Sequence, residues 1–274
     1  MKASREMLFQ IELPDTDNSL LGAYESWLER QAIRSSSRRI YMHNVGRLLK
    51  ASRRRIFYDE QRFLEFMESF LLKHADRGLF TAARSLARFL GFAEPEVLLK
   101  APARKRKIVF LSDQEEKNYL EAVHKIPNLR NRLIVLLIFQ AGCRINEILN
   151  LEESDLEEWQ GNMILQIKGR NQRRLSLEPE LSELLSSYLA TKEKTACKLL
   201  FSTRNNCPMD QQSVDAIVRG TGSRVGLNVS AGILRNSYKL RLFKRGFAAD
   251  ELARLCGQKR LRKEDKQVLY QGLS

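Results

Sequence analysis

The stretch Ala141-Gly-Cys-Arg-Ile-Asn-Glu147 follows the apolar run Leu133 to Phe139 and leads into Ile148-Leu149. This pattern predicts a buried helix that breaks at Gly142 and a second helix that begins beside Arg144. A guanidinium fixed at such a junction presents a planar fork of donors that suits a pair of phosphate oxygens. Arg144 also stands three residues before Glu147, the spacing of an ordinary ion pair on a helix surface. Taken alone, the stretch admits both uses.

Downstream, Met163 to Gly169 and Arg173 to Leu177 read as two strands, with Gly169-Arg-Asn-Gln172 as the turn, so Lys168 is expected near the tip of a hairpin. Val229-Ser-Ala-Gly-Ile-Leu-Arg-Asn236 opens a further helix, followed by Leu255-Cys-Gly-Gln258 and, late in the chain, Tyr270. An arginine, a hairpin lysine, a Leu-Arg helix start, a Leu-x-Gly-x segment and a late tyrosine occur in that order. The order resembles the tyrosine recombinase, or phage integrase, family.

The resemblance extends over nearly the whole chain. Gly142-Cys-Arg-Ile-Asn-Glu-Ile148 is similar to the family's Gly-Leu-Arg-x-x-Glu-Leu, and Lys168-Gly169 with Arg173 keeps the spacing of its Gly-Lys-Gly-x-x-x-Arg. Gly232-Ile-Leu-Arg-Asn236 occupies the five places of His-x-Leu-Arg-His, and Cys256-Gly-Gln258 those of Leu-Gly-His. Both histidines of the first box are therefore replaced, by Gly232 and Asn236, and Gln258 takes the later His or Trp place. After His124 the chain has no histidine at all. The family's usual interval to the tyrosine falls on Gln267, whereas Tyr270 lies three residues further on, which requires a longer loop through Lys259 to Lys263.

The resemblance implies a fold and a chemistry. The expected architecture is mostly α with a small β-sheet: a helical core-binding domain over residues 1–92, a basic linker over 93–107, and an α+β catalytic domain over 108–274. The implied reaction cuts and rejoins duplex DNA through a 3′-phosphotyrosyl intermediate. Arg144 and Arg235 would hold the non-bridging oxygens, with Glu147 orienting Arg144. Lys168 would act as general acid, Tyr270 as nucleophile, and Gln258 would touch the scissile phosphate. A glutamine cannot transfer a proton at neutral pH, so cleavage is expected to be slow, partner-assisted or absent. The alternative is a DNA-binding relative that no longer cuts and serves replicon maintenance or acts as an accessory subunit.

The rest of the sequence is compatible with this. The 274 residues carry 47 Lys and Arg against 33 Asp and Glu, a net charge of +14 that favours a polyanionic partner. Double-stranded DNA is the expected partner, together with self-association or a second recombinase. No apolar run reaches membrane-spanning length, and Met-Lys-Ala-Ser-Arg-Glu lacks the apolar core of a signal peptide. Cys143, Cys197, Cys207 and Cys256 are too scattered for a zinc site or disulfide framework, and are read as reduced thiols of a cytoplasmic protein. No cofactor is expected, and a metal nuclease is disfavoured because the matched positions hold Arg and Lys rather than a carboxylate cluster.

Residues from about Asn18 to Phe92 read as four helices, with Ser35-Ser-Ser37 capping the second. Arg38, Arg39, Arg53 and Arg54 are expected on a face against the DNA backbone. Arg104, Lys105, Arg106 and Lys107 of the linker, and Arg173 of the hairpin, are expected to add phosphate contacts. Related recombinases carry a further helix after the tyrosine that docks into a neighbour. The sequence stops four residues beyond Tyr270, so that mode of assembly is not expected.

Overall fold

A computed structural model describes residues 17–52, 59–74, 76–92, 108–169, 171–192, 197–261, 265–266 and 269–270. The chain divides into two compact units, Met1–Lys105 and Arg106–Ser274. The segment expected as a linker lies outside the described residues.

The first unit is helical: α1 (Asp17–Arg30), α2 (Ser35–Ala51), α3 (Glu60–His74) and α4 (Arg77–Phe89). Tyr24, Leu28, Leu48, Phe63, Met67 and Leu86 are fully buried between them. Two buried hydroxyls in that apolar centre satisfy each other, Tyr24 Oη donating to Ser85 Oγ at 2.7 Å. One expectation is corrected. The Ser35 run forms the first turn of α2 rather than its cap, because Arg34 holds the extended N-cap position and makes no side-chain cap bond.

The second unit opens with α5 (Asp113–His124), started by a reciprocal capping box between Ser112 and Glu115. The buried helix α6 (Leu129–Phe139) begins at Asn128, whose side chain accepts from Asn131 N at 3.0 Å. Every residue from Leu133 to Phe139 is buried, so α6 runs through the core instead of lining it. It ends where Gly142 takes φ +65°, and a Cβ there would overlap the Tyr238 ring. Beyond it come α7 (Ile145–Leu149), a 3-10 turn at Glu153–Asp155, and an antiparallel meander of β1 (Leu156–Trp159), β2 (Asn162–Ile167) and β3 (Arg173–Ser176).

β1 was not expected. Leu-Glu-Glu-Trp lacks the alternation that marks a half-buried strand, and it is held instead by Glu157, which accepts from Gln166 at 3.0 Å and Arg174 at 2.7 Å across the sheet. The strand-like run Leu199-Leu-Phe201 forms only an isolated bridge, between Glu152 and Leu199, and Leu200 and Phe201 are buried in the core. The remaining helices are α8 (Pro179–Thr191), α9 (Gln211–Ser223), α10 (Ala231–Lys244) and α11 (Ala249–Leu255). Among the described residues no helix is long and apolar enough to cross a membrane.

Candidate active site: a guanidinium clamp on a helix end

The site is built on how α11 stops. Gly257 N donates to Arg254 O at 2.9 Å and Gln258 N to Ala253 O at 2.7 Å, with Gly257 at φ +62°. This is a Schellman cap, which leaves the next carbonyls without partners inside the helix. Two arginines from distant elements take them. Arg144 Nη2 donates to Gly257 O at 2.6 Å, and Arg235 Nη2 donates to Cys256 O at 3.0 Å. Arg235 Nε also donates to Gly142 O at 2.9 Å, so the break after α6 and the end of α11 are bolted together by one side chain.

Arg144 is the N-cap residue of α7, and Glu147 lies in its first turn. The Glu147 carboxylate accepts from Arg144 N at 2.7 Å and from Arg144 Nη1 at 2.6 Å. It also takes both η nitrogens of Arg173, at 2.8 and 2.9 Å. Burial alone would push this carboxyl up, but the hydrogen bonds from Arg173 and Arg144 outweigh it and hold the pKa down at about 2. Glu147 is thus a permanent anion that fixes two guanidinium planes.

Arg235 has the opposite balance. Burial and then the like charge of Arg144 push it below the ordinary guanidinium value, as expected where two cations converge without a full complement of anions. Such a deficit favours an incoming polyanion. Burial pushes the Cys143 thiol up to about 12 and raises that of Cys256, which favours the neutral thiol at both. Gln258 presents a buried Oε1 with no hydrogen-bond partner.

The described contacts of Lys168 and Tyr270 are with other groups. Lys168 Nζ approaches Asp155 Oδ1 at 2.5 Å and Glu152 Oε2 at 3.5 Å. Tyr270 is 62% exposed and meets Phe243 edge-on, ring centroids 5.1 Å apart at 89°. Phe243 lies eight residues beyond Arg235 on α10, about 12 Å along the helix axis.

Residues 109–264, more than half of the chain, match the Phage integrase family model. The chain belongs to the phage integrase family. It is 25% identical over 248 residues to the tyrosine recombinase XerA of Thermococcus onnurineus, covering 89% of this chain and 88% of that protein. It is 26% identical over 215 residues to the tyrosine recombinase XerD of Staphylococcus haemolyticus, covering 69% of this chain and 71% of that protein. Its fold resembles XerH bound to palindromic difH substrate in a post-cleavage complex, with a TM-score of 0.64, 18% identity, and coverage of 98% and 92% of the two chains. It is also similar to a lambda integrase dimer bound to a COC′ core site, with a TM-score of 0.65, 16% identity, and coverage of 92% and 76%.

Within this family member, the expected site residues sort by placement. Arg144, Glu147 and Arg235 come together, with Gln258 in the cap that joins the two arginines. Arg173 is a correction: it was expected on phosphate, but its side chain is only 4% exposed, against 31% for Arg144, and both its η nitrogens are on Glu147. The strand register explains this. Arg173 opposes Ile167 and shares the buried face with Leu175. In the first unit, Arg38 is tied to Glu29 at 2.5 Å while Arg39 is exposed. Arg53, Arg54, Arg104, Lys105, Arg106, Lys107 and Gln267 lie outside the described residues.

Sequence reasoning missed two parts of the site. Gly257 is its platform, since a Cβ there would stand 2.6 Å from Nη1 of Arg144 and of Arg173 alike. The signal was present, a glycine directly after an apolar helical pattern, but which groups would press on it was not legible. Asp155, buried and close to Lys168, was hidden in an acidic run that reads as solvated surface.

Proposed function

We propose that this chain is a site-specific recombinase that cuts and rejoins duplex DNA through a 3′-phosphotyrosyl intermediate, with weakened or partner-dependent cleavage. The observation that carries this reading is the meeting of Arg144 and Arg235, distant in sequence, on the consecutive carbonyls of Gly257 and Cys256. Two guanidinium groups there would grip the non-bridging oxygens of one phosphate and offset the charge that builds in the pentavalent state. Glu147, itself held by Arg173, would keep Arg144 aimed.

In the reaction, the Tyr270 oxygen forms a bond to phosphorus as the bond from phosphorus to O5′ breaks. The tyrosine gives its proton to solvent, and Lys168 gives one to O5′, becoming a neutral amine. One phosphodiester replaces another, so the reverse step rejoins the strand without an external energy source. The exposed arginines of the helical unit and the basic run before the second unit would add phosphate contacts along the duplex, in the cytoplasm. Self-association on DNA or a second recombinase would supply the paired active sites.

A second reading, a relative that binds but no longer cuts, draws on two observations. The family's histidine places are occupied by Gly232 and by Asn236, whose Nδ2 is committed to Val109 O at 3.0 Å. Tyr270 stands edge-on against Phe243. A suicide duplex nicked beside the scissile phosphate separates the two. A covalent adduct lost in Tyr270→Phe supports recombination, while tight, salt-sensitive binding without adduct supports the second reading.

A further inference from the structure

Lys168 directly follows β2, whose last residue, Ile167, opposes Arg173. Strand side chains alternate faces, so Lys168 belongs to the face opposite the one on which Arg173 meets Glu147. Its described partners are accordingly acids of the 3-10 turn and its lead-in. Asp155 Oδ1 lies 2.5 Å from Nζ and Glu152 Oε2 lies 3.5 Å away. Asp155 is itself anchored: its side chain is 2% exposed, and its Oδ2 accepts from Glu152 N at 3.0 Å. Oδ1 is left without an aligned donor, so its contact with Lys168 is a close ion pair rather than a directed hydrogen bond. The lysine is 64% exposed, and the acid is built in.

We infer that Asp155, assisted by Glu152, is a positioning residue that parks Lys168 on the outer face of the hairpin and withholds it from the arginine clamp until DNA displaces the pair. This deepens the recombinase reading and rests on it for the consequence in catalysis, though the parking itself does not depend on cleavage. An incoming phosphate competes with a single carboxylate for a flexible ammonium. The exposed stem lets Lys168 swing without unfolding the strand, whereas Asp155 stays behind, its Oδ2 still accepting from the N-cap nitrogen of Glu152. The parked lysine keeps its proton: Asp155 first, then Glu152, hold its pKa above the ordinary value. Displaced from the acids, an ordinary lysine is still protonated at neutral pH and reaches the leaving O5′ as an acid.

Asp155→Asn tests this in the full chain, because the amide oxygen can still accept from Glu152 N while the amide nitrogen no longer attracts an ammonium. Acetic anhydride labelling of the DNA-free protein, read lysine by lysine by mass spectrometry, should rise about two- to fivefold at Lys168, the scale of one partly exposed ion pair. Lys117 and Lys198 should remain unchanged. An unaltered Lys168 overturns the inference. If Asp155→Asn labels all lysines faster because the turn unfolds, Glu152→Gln decides by the same comparison: a rise confined to Lys168 supports parking and no rise overturns it.

Cleavage supplies the second arm. On an ordinary suicide substrate Asp155→Asn should cut about two- to fivefold faster. The gain should vanish on a substrate with sulfur in place of O5′, whose thiolate leaves without an acid, and in a Lys168→Ala background. A gain of equal size on the sulfur substrate would overturn an action through Lys168. Should neither protein cut any DNA, the recombinase reading fails while the labelling still decides whether the lysine is parked.

Discussion

Arg144 and Arg235 donate to the carbonyl oxygens of adjacent residues, Gly257 at 2.6 Å and Cys256 at 3.0 Å. Their separation in the folded molecule is therefore set by one peptide unit of a capped helix end. A rigid backbone step is a stiffer ruler than any pair of long side chains, and it places the geometry of the clamp under the control of a glycine.

Gly257→Ala should disrupt that ruler. A non-glycine residue at φ +62° costs roughly 1–2 kcal/mol, and the added methyl would press on both Arg144 and Arg173. The expected result is a lower thermal midpoint together with a loss of cleavage larger than the loss of DNA affinity, measured by single-turnover assay and by titration. A variant that is less stable but cuts at the original rate would show that the arginines do not depend on this carbonyl.

Glu147 ties acid stability to the clamp. Its folded-state pKa of about 2 lies below the unfolded value of about 4.3, so its contribution is present above the unfolded pKa and lost as pH falls through the folded one. Lowering pH from about 5 toward 2 should remove roughly 2–4 kcal/mol through this group. Glu147→Gln should show a shallower fall over the same window by urea denaturation. At neutral pH it should be less stable by about 3 kcal/mol or more, because it leaves the buried Arg173 charge without an anion.

Gly232 can be refilled. Only Ser230 Oγ, at 3.7 Å, lies within reach of an added Cβ, and the helix N-terminus imposes no left-handed geometry there. Gly232→His should therefore fold at least as well as the parent and restore a donor beside the clamp. A positioned acid or base is worth about 10²- to 10⁴-fold, so faster covalent adduct formation is the expected outcome, by at least the lower figure. An unchanged rate would mean that chemistry is not limited by the missing imidazole.

In the helical unit, the two neighbouring arginines should behave differently. Arg38 is occupied by Glu29, whereas Arg39 is exposed. Arg39→Ala should weaken binding evenly across DNA sequences and reduce the slope of log affinity against log salt by about 1. Arg38→Ala should change the slope less, because its charge is already partly neutralised. Equal slopes for both variants would remove the distinction.

Much of this was legible in sequence because it depends on local pattern. The apolar run before Gly142 and the hairpin flanking 169–172 each specify an element within a few residues of themselves. Arg173 was misread because its value as a charge suggested solvent and phosphate, while its place opposite Ile167 sends it inward. The alternation of Arg173 with Leu175 and Leu177 puts all three on one face, but which acid would meet the charge there depends on Glu147, from a distant helix.

The sequence by itself determined the helices around Gly142, the hairpin that follows them, the family motifs and their missing histidines, and the excess of positive charge. Tertiary structure alone decided that Gly257 is the platform for two guanidinium groups, that Glu147 serves two arginines at once, and that Lys168 turns to Asp155. The physical reason is range. Helix caps and strand periodicity are written within a few residues, whereas the energy of a charge depends on which opposite charges and carbonyls the fold brings within about 3 Å of it.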